Sequence, residues 1–332
     1  MIKVAMLGLG NVGRAFVDYI RRQRAESGLE VFVCGLADAS GALMISEPDD
    51  VEKVIAHKSV GRSIRDFAPN ESIGGQEFIS ELPRAGVSAL IESLPTSLRD
   101  GQPALDLITA ALRQGTNVVT VDKGPLVHGY DALRQAMQEG SSRLGFSGTT
   151  GVSPPADMAT DRVLEIRGVL NGTTNYILTE IQERSISFSE ALSNAQSEGI
   201  AEPDPSLDVE GWDTANKILI LARVLMGADS SIEDVSRIGI GPETESLVET
   251  ARSRAGMVRL VGRARIWQGR VRVSVAPKIV ASDSPFYSVN GTSKAAVFRT
   301  EKRGEIISFS TSGRDAISQV ILDDLMRVSK RD

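Results

Sequence analysis

Six residues near the start of the chain, Gly8-Leu9-Gly10-Asn11-Val12-Gly13, constrain its fold more than any others. They follow an apolar run at residues 2–7 that reads as a buried strand, and they open a segment of helical character from Val12 to Arg24. A second apolar run, Glu30 to Leu36, comes next. Strand, glycine turn, helix and strand in that order form the unit of a doubly wound parallel sheet. In such a unit Gly8 permits the tight turn, Gly10 lets the backbone approach a pyrophosphate, and Gly13 lets helix and strand pack closely. The anion then rests on a helix N-terminus, where unpaired N–H groups and the helix dipole favour negative charge. A plain glycine-rich turn carries the same letters; the strand before it and the helix after it are what favour nucleotide binding.

The alternation continues with Ala89-Leu90-Ile91 as a strand, Gly101 to Gln114 as a helix and Asn117 to Val121 as a strand. Tyr130 to Gln138 reads as a helix and Arg143 to Phe146 as the last strand of this half. At Gly148-Thr149-Thr150-Gly151-Val152-Ser153-Pro154-Pro155 the pattern breaks into a turn-rich crossover. Beyond it, Ser187 and Glu190 are spaced as a capping box, and Phe188, Ala191, Leu192 and Ala195 form one apolar helical face. A longer helix is predicted from Gly211 to Met226, with Ile218, Leu221, Ala222 and Leu225 buried. Strands are predicted at Val258–Ile266, Arg270–Ala276, Ala295–Arg299 and Glu305–Ser310, and a last helix over Asp315–Val328. The expected fold is α/β: a Rossmann-type parallel sheet over residues 1–147 and a second, α+β domain over 148–312. The helix of residues 313–332 is expected to return to the first domain.

Length and charge narrow the function. The 332 residues are 41% hydrophobic, enough for two cores. A net charge of −6 argues against nucleic acid or an anionic membrane as the main partner. The single cysteine, Cys34, excludes an internal disulfide and points to a reducing, cytoplasmic setting. From the run of residues 1–8 no signal peptide is expected, and no stretch approaches the roughly 20 apolar residues of a membrane span. His57 and His128 form no metal cluster with Cys34, and no metal site is expected. The triplets Asn171-Gly172-Thr173 and Asn290-Gly291-Thr292 match the glycosylation pattern by chance.

Three further segments carry chemistry. Asp38 ends the second strand, where an acid ordinarily takes the ribose hydroxyls of the adenosine. Its charge would repel a 2′-phosphate, so NAD is predicted, with NADP as the alternative; Asp38 also reads as a turn aspartate before Ser40-Gly41. Lys123 follows the strand ending at Val121, at the edge where ligands bind in open α/β sheets, although a lysine capping a surface loop would look the same. Between Glu202 and Lys217 lie five acids and a lysine, with Pro203 and Pro205 forbidding continuous helix. Asp213 and Lys217 share a helical face one turn apart. In a cleft, the acid could hold an ammonium and the lysine serve a hydroxyl; on a surface the two are an ordinary ion pair. Should Lys123 and Lys217 meet across one crevice, each would make the other harder to protonate, freeing one to accept a hydroxyl proton. The small polar residues from Gly168 to Leu178 mark a strand-to-helix junction that could receive a carboxylate or be a simple capped turn.

Taken together, these segments resemble the homoserine dehydrogenase family along nearly the whole chain. The most specific part is Glu202-Pro203-Asp204-Pro205 with Asp208, Asp213 and Lys217 at the family's intervals. The resemblance implies an NAD(P)-dependent oxidoreductase acting on a CH–OH group, interconverting L-homoserine and L-aspartate 4-semialdehyde in threonine and methionine biosynthesis. It implies Lys217 as general acid/base, Lys123 as a second catalytic or orienting lysine, Glu202 and Asp213 on the substrate amino group, and Asp208 and Thr173 completing the pocket. Gly8, Gly10, Asn11, Val12, Gly13, Asp38, Ser93, Lys123 and Gly313 would contact the cofactor. It also implies a homodimer formed through the second, catalytic domain, with the strands near 258–310 contributing.

Two departures stand out. Ser147 replaces the family's acid in the stretch from Phe146 to Pro154, which puts a monovalent-cation site in question. The family's glycine-rich C-terminal turn is reduced to Thr311-Ser312-Gly313-Arg314-Asp315-Ala316. A regulatory domain of the ACT type is not expected. The rival readings are a paralogous dehydrogenase with a different hydroxy or amino substrate, and a nucleotide sensor without catalysis.

Overall fold

The computed structural model describes residues 1–155, 161–311, 313 and 315–330. The chain divides into two compact units: Met1–Thr149 with Gly313–Asp332, and Thr150–Ser312.

The first unit is built on strands β1 (Ile2–Leu7), β2 (Val31–Asp38), β3 (Gly41–Met44), β4 (Ala89–Glu92), β5 (Asn117–Thr120) and β6 (Leu144–Gly145). They form one sheet in the order β3-β2-β1-β4-β5-β6. All neighbours are parallel except β3, which folds back antiparallel on β2 through Ala39-Ser40. Val4, Ala5 and Met6 of β1 and Leu90 and Ile91 of β4 are fully buried, the continuous apolar pattern of strands covered on both faces. The direction of winding reverses between β1 and β4, so their carboxyl ends splay apart and leave a crevice. The helix Asn11–Ser27 buries Gly13, Phe16, Val17 and Ile20, one stripe at helical spacing, and stops at Gly28 with φ 71°. The C-terminal helix Ala316–Ser329 packs Ile321, Leu322, Leu325 and Val328 into the same core as Val4, Met6, Ile91 and Val119. Strand β3 and the helix Pro48–Ser59 went unread in the sequence, because neither has a long apolar stripe.

The second unit holds β7 (Val163–Val169), β8 (Ser236–Arg237), β9 (Met257–Trp267), β10 (Arg270–Val280), β11 (Lys294–Thr300) and β12 (Gly304–Ser310). Their order is β12-β11-β7-β9-β10-β8, antiparallel throughout except for the short β8. The helices Gly172–Arg184, Trp212–Met226 and Thr244–Ser253 pack on the sheet. Gly262 of β9 sits under the second of these so closely that a Cβ would lie 3.1 Å from the Ile218 side chain. The central strand β7 is hard to see in sequence because Glu165 and Arg167 interrupt its apolar run; Arg299 Nε lies 3.4 Å from the Glu165 carboxylate.

Candidate active site

The crevice of the first unit is a pocket of about 530 Å³ over the carboxyl ends of β1, β2 and β4. Gly8 to Val12 line one wall, Ser93, Leu94 and Pro95 another, and Asp38, Ala39, Ser40, Lys58 and Ser63 the far end. The three glycines do different work. Gly8 has φ 103°, and a Cβ there would lie 2.6 Å from the Ser93 backbone. On Gly13 a Cβ would strike the Gly8 carbonyl oxygen at 2.2 Å. Nothing lies within 4 Å of a Cβ placed on Gly10, so that position opens into the pocket. Ser93 Oγ donates to the Gly8 carbonyl at 3.0 Å and ties the two loops together. A tight turn with open space above the second glycine, at the start of a 17-residue helix, fits a pyrophosphate.

At the far end Asp38 is fully engaged by protein. Its Oδ1 accepts from Ser40 N at 2.8 Å and Ser40 Oγ at 2.5 Å, and its Oδ2 accepts from Lys58 Nζ at 2.6 Å and Ile64 N at 3.1 Å. A carboxylate has about four acceptor positions, so all are filled. Burial raises the Asp38 pKa, but Lys58, Ser40 and the Ile64 N–H outweigh it and leave the group below its ordinary value. Sequence reasoning missed Lys58, which lies 20 residues from Asp38 on a separate helix.

Beneath the same edge, Glu92 at the end of β4 is fully buried. It accepts from Leu94 N at 2.7 Å and from Thr120 Oγ1 at 2.5 Å. Burial, with Asp122 repulsion second, pushes its pKa up to about 8, so the carboxyl is protonated at neutrality. Asp122 Oδ1 accepts from Gly124 N at 2.8 Å, which fixes the turn carrying Lys123 at the start of the helix Gly124–His128. Lys123 is partly buried, and neither it nor Gly313 lines the pocket. Gly313 is exposed before the C-terminal helix; its neighbours Ser312 and Arg314 lie outside the described residues. Ser147 donates through N (2.7 Å) and Oγ (2.8 Å) to the buried Asp324 of that helix.

In the second unit the acids and the lysine form a connected cluster. Gly211, with φ 83°, starts the helix Trp212–Met226 abruptly, so Asp213 and Lys217 lie in its first turns. Lys217 Nζ pairs with Asp213 Oδ2 at 2.6 Å and donates to the Leu170 carbonyl at 2.9 Å, with 12% and 15% of the two side chains exposed. Asn171 caps the helix Gly172–Arg184 by accepting from Thr174 N at 2.8 Å. Its amide donates to Asp208 at 2.6 Å and to Asp213 at 2.9 Å, bridging two carboxylates with one nitrogen. Thr173 is buried beside it and donates to the Ile200 carbonyl at 3.1 Å.

Asp208, Asp213, Lys217 and Thr173 are therefore brought together around one helix N-terminus. Glu202 is not bonded to them: its carboxylate is exposed and has no partner among the described residues, while Gln196 holds its backbone carbonyl at 3.3 Å. Two members went unread as individual residues. Asn171 was seen as part of a polar junction and of a chance glycosylation triplet, and Lys294 carries no motif. Lys294, at the start of β11, is partly buried. Burial, then repulsion from Lys217, lowers its pKa, with Asp213 opposing. Among the described residues no group of three or more His, Cys, Asp or Glu side chains could hold a metal, and no helix is long and apolar enough to cross a membrane.

Comparison with known proteins agrees with this architecture. Residues 155–326 match the family model described as homoserine dehydrogenase. The chain is 32% identical to the homoserine dehydrogenase of Methanocaldococcus jannaschii, over 98% of each chain. It is 29% identical to an NAD(+)-dependent homoserine dehydrogenase of Pseudomonas canavaninivorans, over 98% of this chain and 96% of that one. A crystal structure described as a homoserine dehydrogenase of Archaeoglobus fulgidus superposes with a TM-score of 0.81 at 28% identity, over 98% of both. A hyperthermophilic archaeal homoserine dehydrogenase in complex with NADPH does so with a TM-score of 0.75 at 25% identity, over 98% of this chain and 97% of that one. The pocket, the lysine–carboxylate cluster and these likenesses converge: the chain belongs to the homoserine dehydrogenase family.

Proposed function

We propose that this protein is an NAD(P)-dependent dehydrogenase interconverting L-homoserine and L-aspartate 4-semialdehyde. The observation that carries the reading is the Lys217–Asp213–Asn171–Asp208 cluster, a proton-bearing amine held among carboxylates at family spacing. The glycine loop would seat the pyrophosphate, Ser93 would brace it, and Asp38 with Lys58 would meet the adenosine ribose. Bound there, a nicotinamide dinucleotide supplies a hydride acceptor, or a donor in the reverse direction.

The remaining work falls to the chain. Asp213 and the Leu170 carbonyl fix Lys217 Nζ by two contacts, leaving its third N–H direction for the substrate oxygen. Lys217 delivers a proton to that oxygen as the aldehyde is reduced; after losing one, the same nitrogen takes the hydroxyl proton in oxidation. Lys123 is assigned to the cofactor side and to the second lysine role. Asp208, whose Oδ1 alone is engaged among the described residues, offers Oδ2 to the substrate ammonium, with Glu202 and Asp213 as further acids and Thr173 as wall. No step is assigned to a monovalent cation: Ser147 brings no carboxylate to the position, and its N–H and hydroxyl serve instead to hold Asp324.

The same reading includes a homodimer. Its support is the edge strand β12, whose Ile307 and Phe309 point the same way and are 42% and 61% exposed. Sedimentation should give a dimer that Phe309→Lys weakens.

NADH or NADPH formation with L-homoserine tests the activity. Lys217→Ala should lower kcat by roughly 10²–10⁴-fold with unchanged cofactor affinity. Turnover only with another alcohol would favour a paralogous activity, and cofactor binding without turnover a sensor.

A further inference from the structure

The acids account for the ammonium of an amino-alcohol substrate and Lys217 for its hydroxyl, but its carboxylate is left without a cation. We infer that Lys294 takes the substrate α-carboxylate, an assignment that rests on the proposed function.

Geometry places this side chain at the cluster. A Cβ built on Gly151 would lie 3.1 Å from Lys294 Cδ and 3.9 Å from the Leu170 carbonyl oxygen, the atom that receives Lys217 Nζ. The Lys294 stem and the Lys217 anchor thus flank the same glycine. The preceding loop is pinned. Asn175, fully buried on the helix Gly172–Arg184, directs its amide at the carbonyls of Val289, Gly291 and Ser293, at 2.9, 2.9 and 3.2 Å. Thr179 Oγ1 accepts from Gly291 N at 3.1 Å. Lys294 follows directly, so its backbone has little freedom.

Its head group lacks a counter-charge. Among the described residues Lys294 makes no hydrogen bond and no ion pair, although it is partly buried and feels the charge of Lys217. The nearby carboxylate Asp213 is committed to Lys217 and Asn171. A half-buried ammonium in this state is costly unless an anion arrives. A substrate carboxylate supplies one and leaves the acids to the ammonium end. One pole of the zwitterion then meets each sign of charge, which fixes the orientation in which the hydroxyl reaches Lys217.

The test uses NADH-loaded protein, in which L-homoserine binds without reacting. Calorimetry would compare L-homoserine with 3-aminopropan-1-ol, the same amino alcohol without the carboxylate. Wild type is expected to prefer L-homoserine by roughly 10- to 100-fold, the worth of one charge-assisted hydrogen bond. Lys294→Met should erase the preference with an unchanged or higher Tm, and Lys294→Arg should keep most of it. A preference that survives in Lys294→Met, or is absent from wild type, overturns the assignment. Intact preference without NADH formation from L-homoserine would instead count against the proposed activity.

Discussion

Lys58 Nζ and Asp38 Oδ2 lie 2.6 Å apart at the end of the pocket far from the glycine loop, with 17% and 10% of their side chains exposed. An isolated Asp38 would repel a 2′-phosphate, which is why the sequence alone points to NAD. Paired, the carboxylate carries an ammonium beside it, and the repulsion is largely offset. Because every acceptor position on Asp38 is filled, a ribose hydroxyl bound as proposed would have to displace one donor, Lys58 or Ser40 Oγ.

Removing the ammonium should therefore restore discrimination. Lys58→Met is expected to raise the ratio of NADP to NAD KM by about tenfold, the worth of roughly 1.4 kcal/mol of lost charge compensation. Steady-state kinetics with both cofactors check this; an unchanged ratio would remove Lys58 from cofactor choice.

Gly10 and Gly13 should fail differently. Gly10→Ala meets no protein atom, so the Tm should hold while NADH affinity falls at least about tenfold as the methyl enters the pyrophosphate space. In Gly13→Ala the methyl collides with backbone, so the fold itself should lose about 1–3 kcal/mol. Thermal melts with fluorescence titration separate the two cases. Equal Tm losses would refute the distinction.

Asn171→Ala removes the amide that bridges Asp208 and Asp213 as well as a helix cap. The cap loss should cost about 1 kcal/mol. With the carboxylates no longer held in place, kcat/KM for L-homoserine should fall roughly 10²-fold, while NADH affinity stays constant. A loss confined to stability would show that the bridge has no part in turnover.

Glu92 makes stability depend on pH. Its folded pKa, raised by burial to about 8, exceeds the unfolded value, so the native state binds the extra proton between about pH 4.5 and 8. The contribution of Glu92 is full below pH 4.5 and is lost as pH rises through 8, at up to about 1.4 kcal/mol per unit. Glu92→Gln, which mimics the protonated form, should flatten this slope and be the more stable protein at pH 8–9. Urea denaturation from pH 5 to 9 measures it; identical slopes would mean that Glu92 ionises freely in the fold.

The sequence by itself determined the glycine loop and the parallel strands of the nucleotide half, though not β3 or the helix Pro48–Ser59. Its parallel strands are buried on both faces, so they appear as uninterrupted apolar runs, and Gly8 and Gly13 leave no room for a side chain at their turn. Asp213 and Lys217 were legible as a pair because four residues make one helical turn. The tertiary structure alone decided which partners the charged groups meet. Lys58 reaches Asp38 across 20 residues, Asn171 reaches Asp208 and Asp213 across 37 and 42, and the Lys294 stem comes to Gly151 from the start of a distant strand. Strand β7 stayed hidden because a face that carries Glu165 and Arg167 has no apolar alternation to read. Periodicity records which face of an element is buried, whereas the partner that compensates a charge is chosen only when distant elements pack.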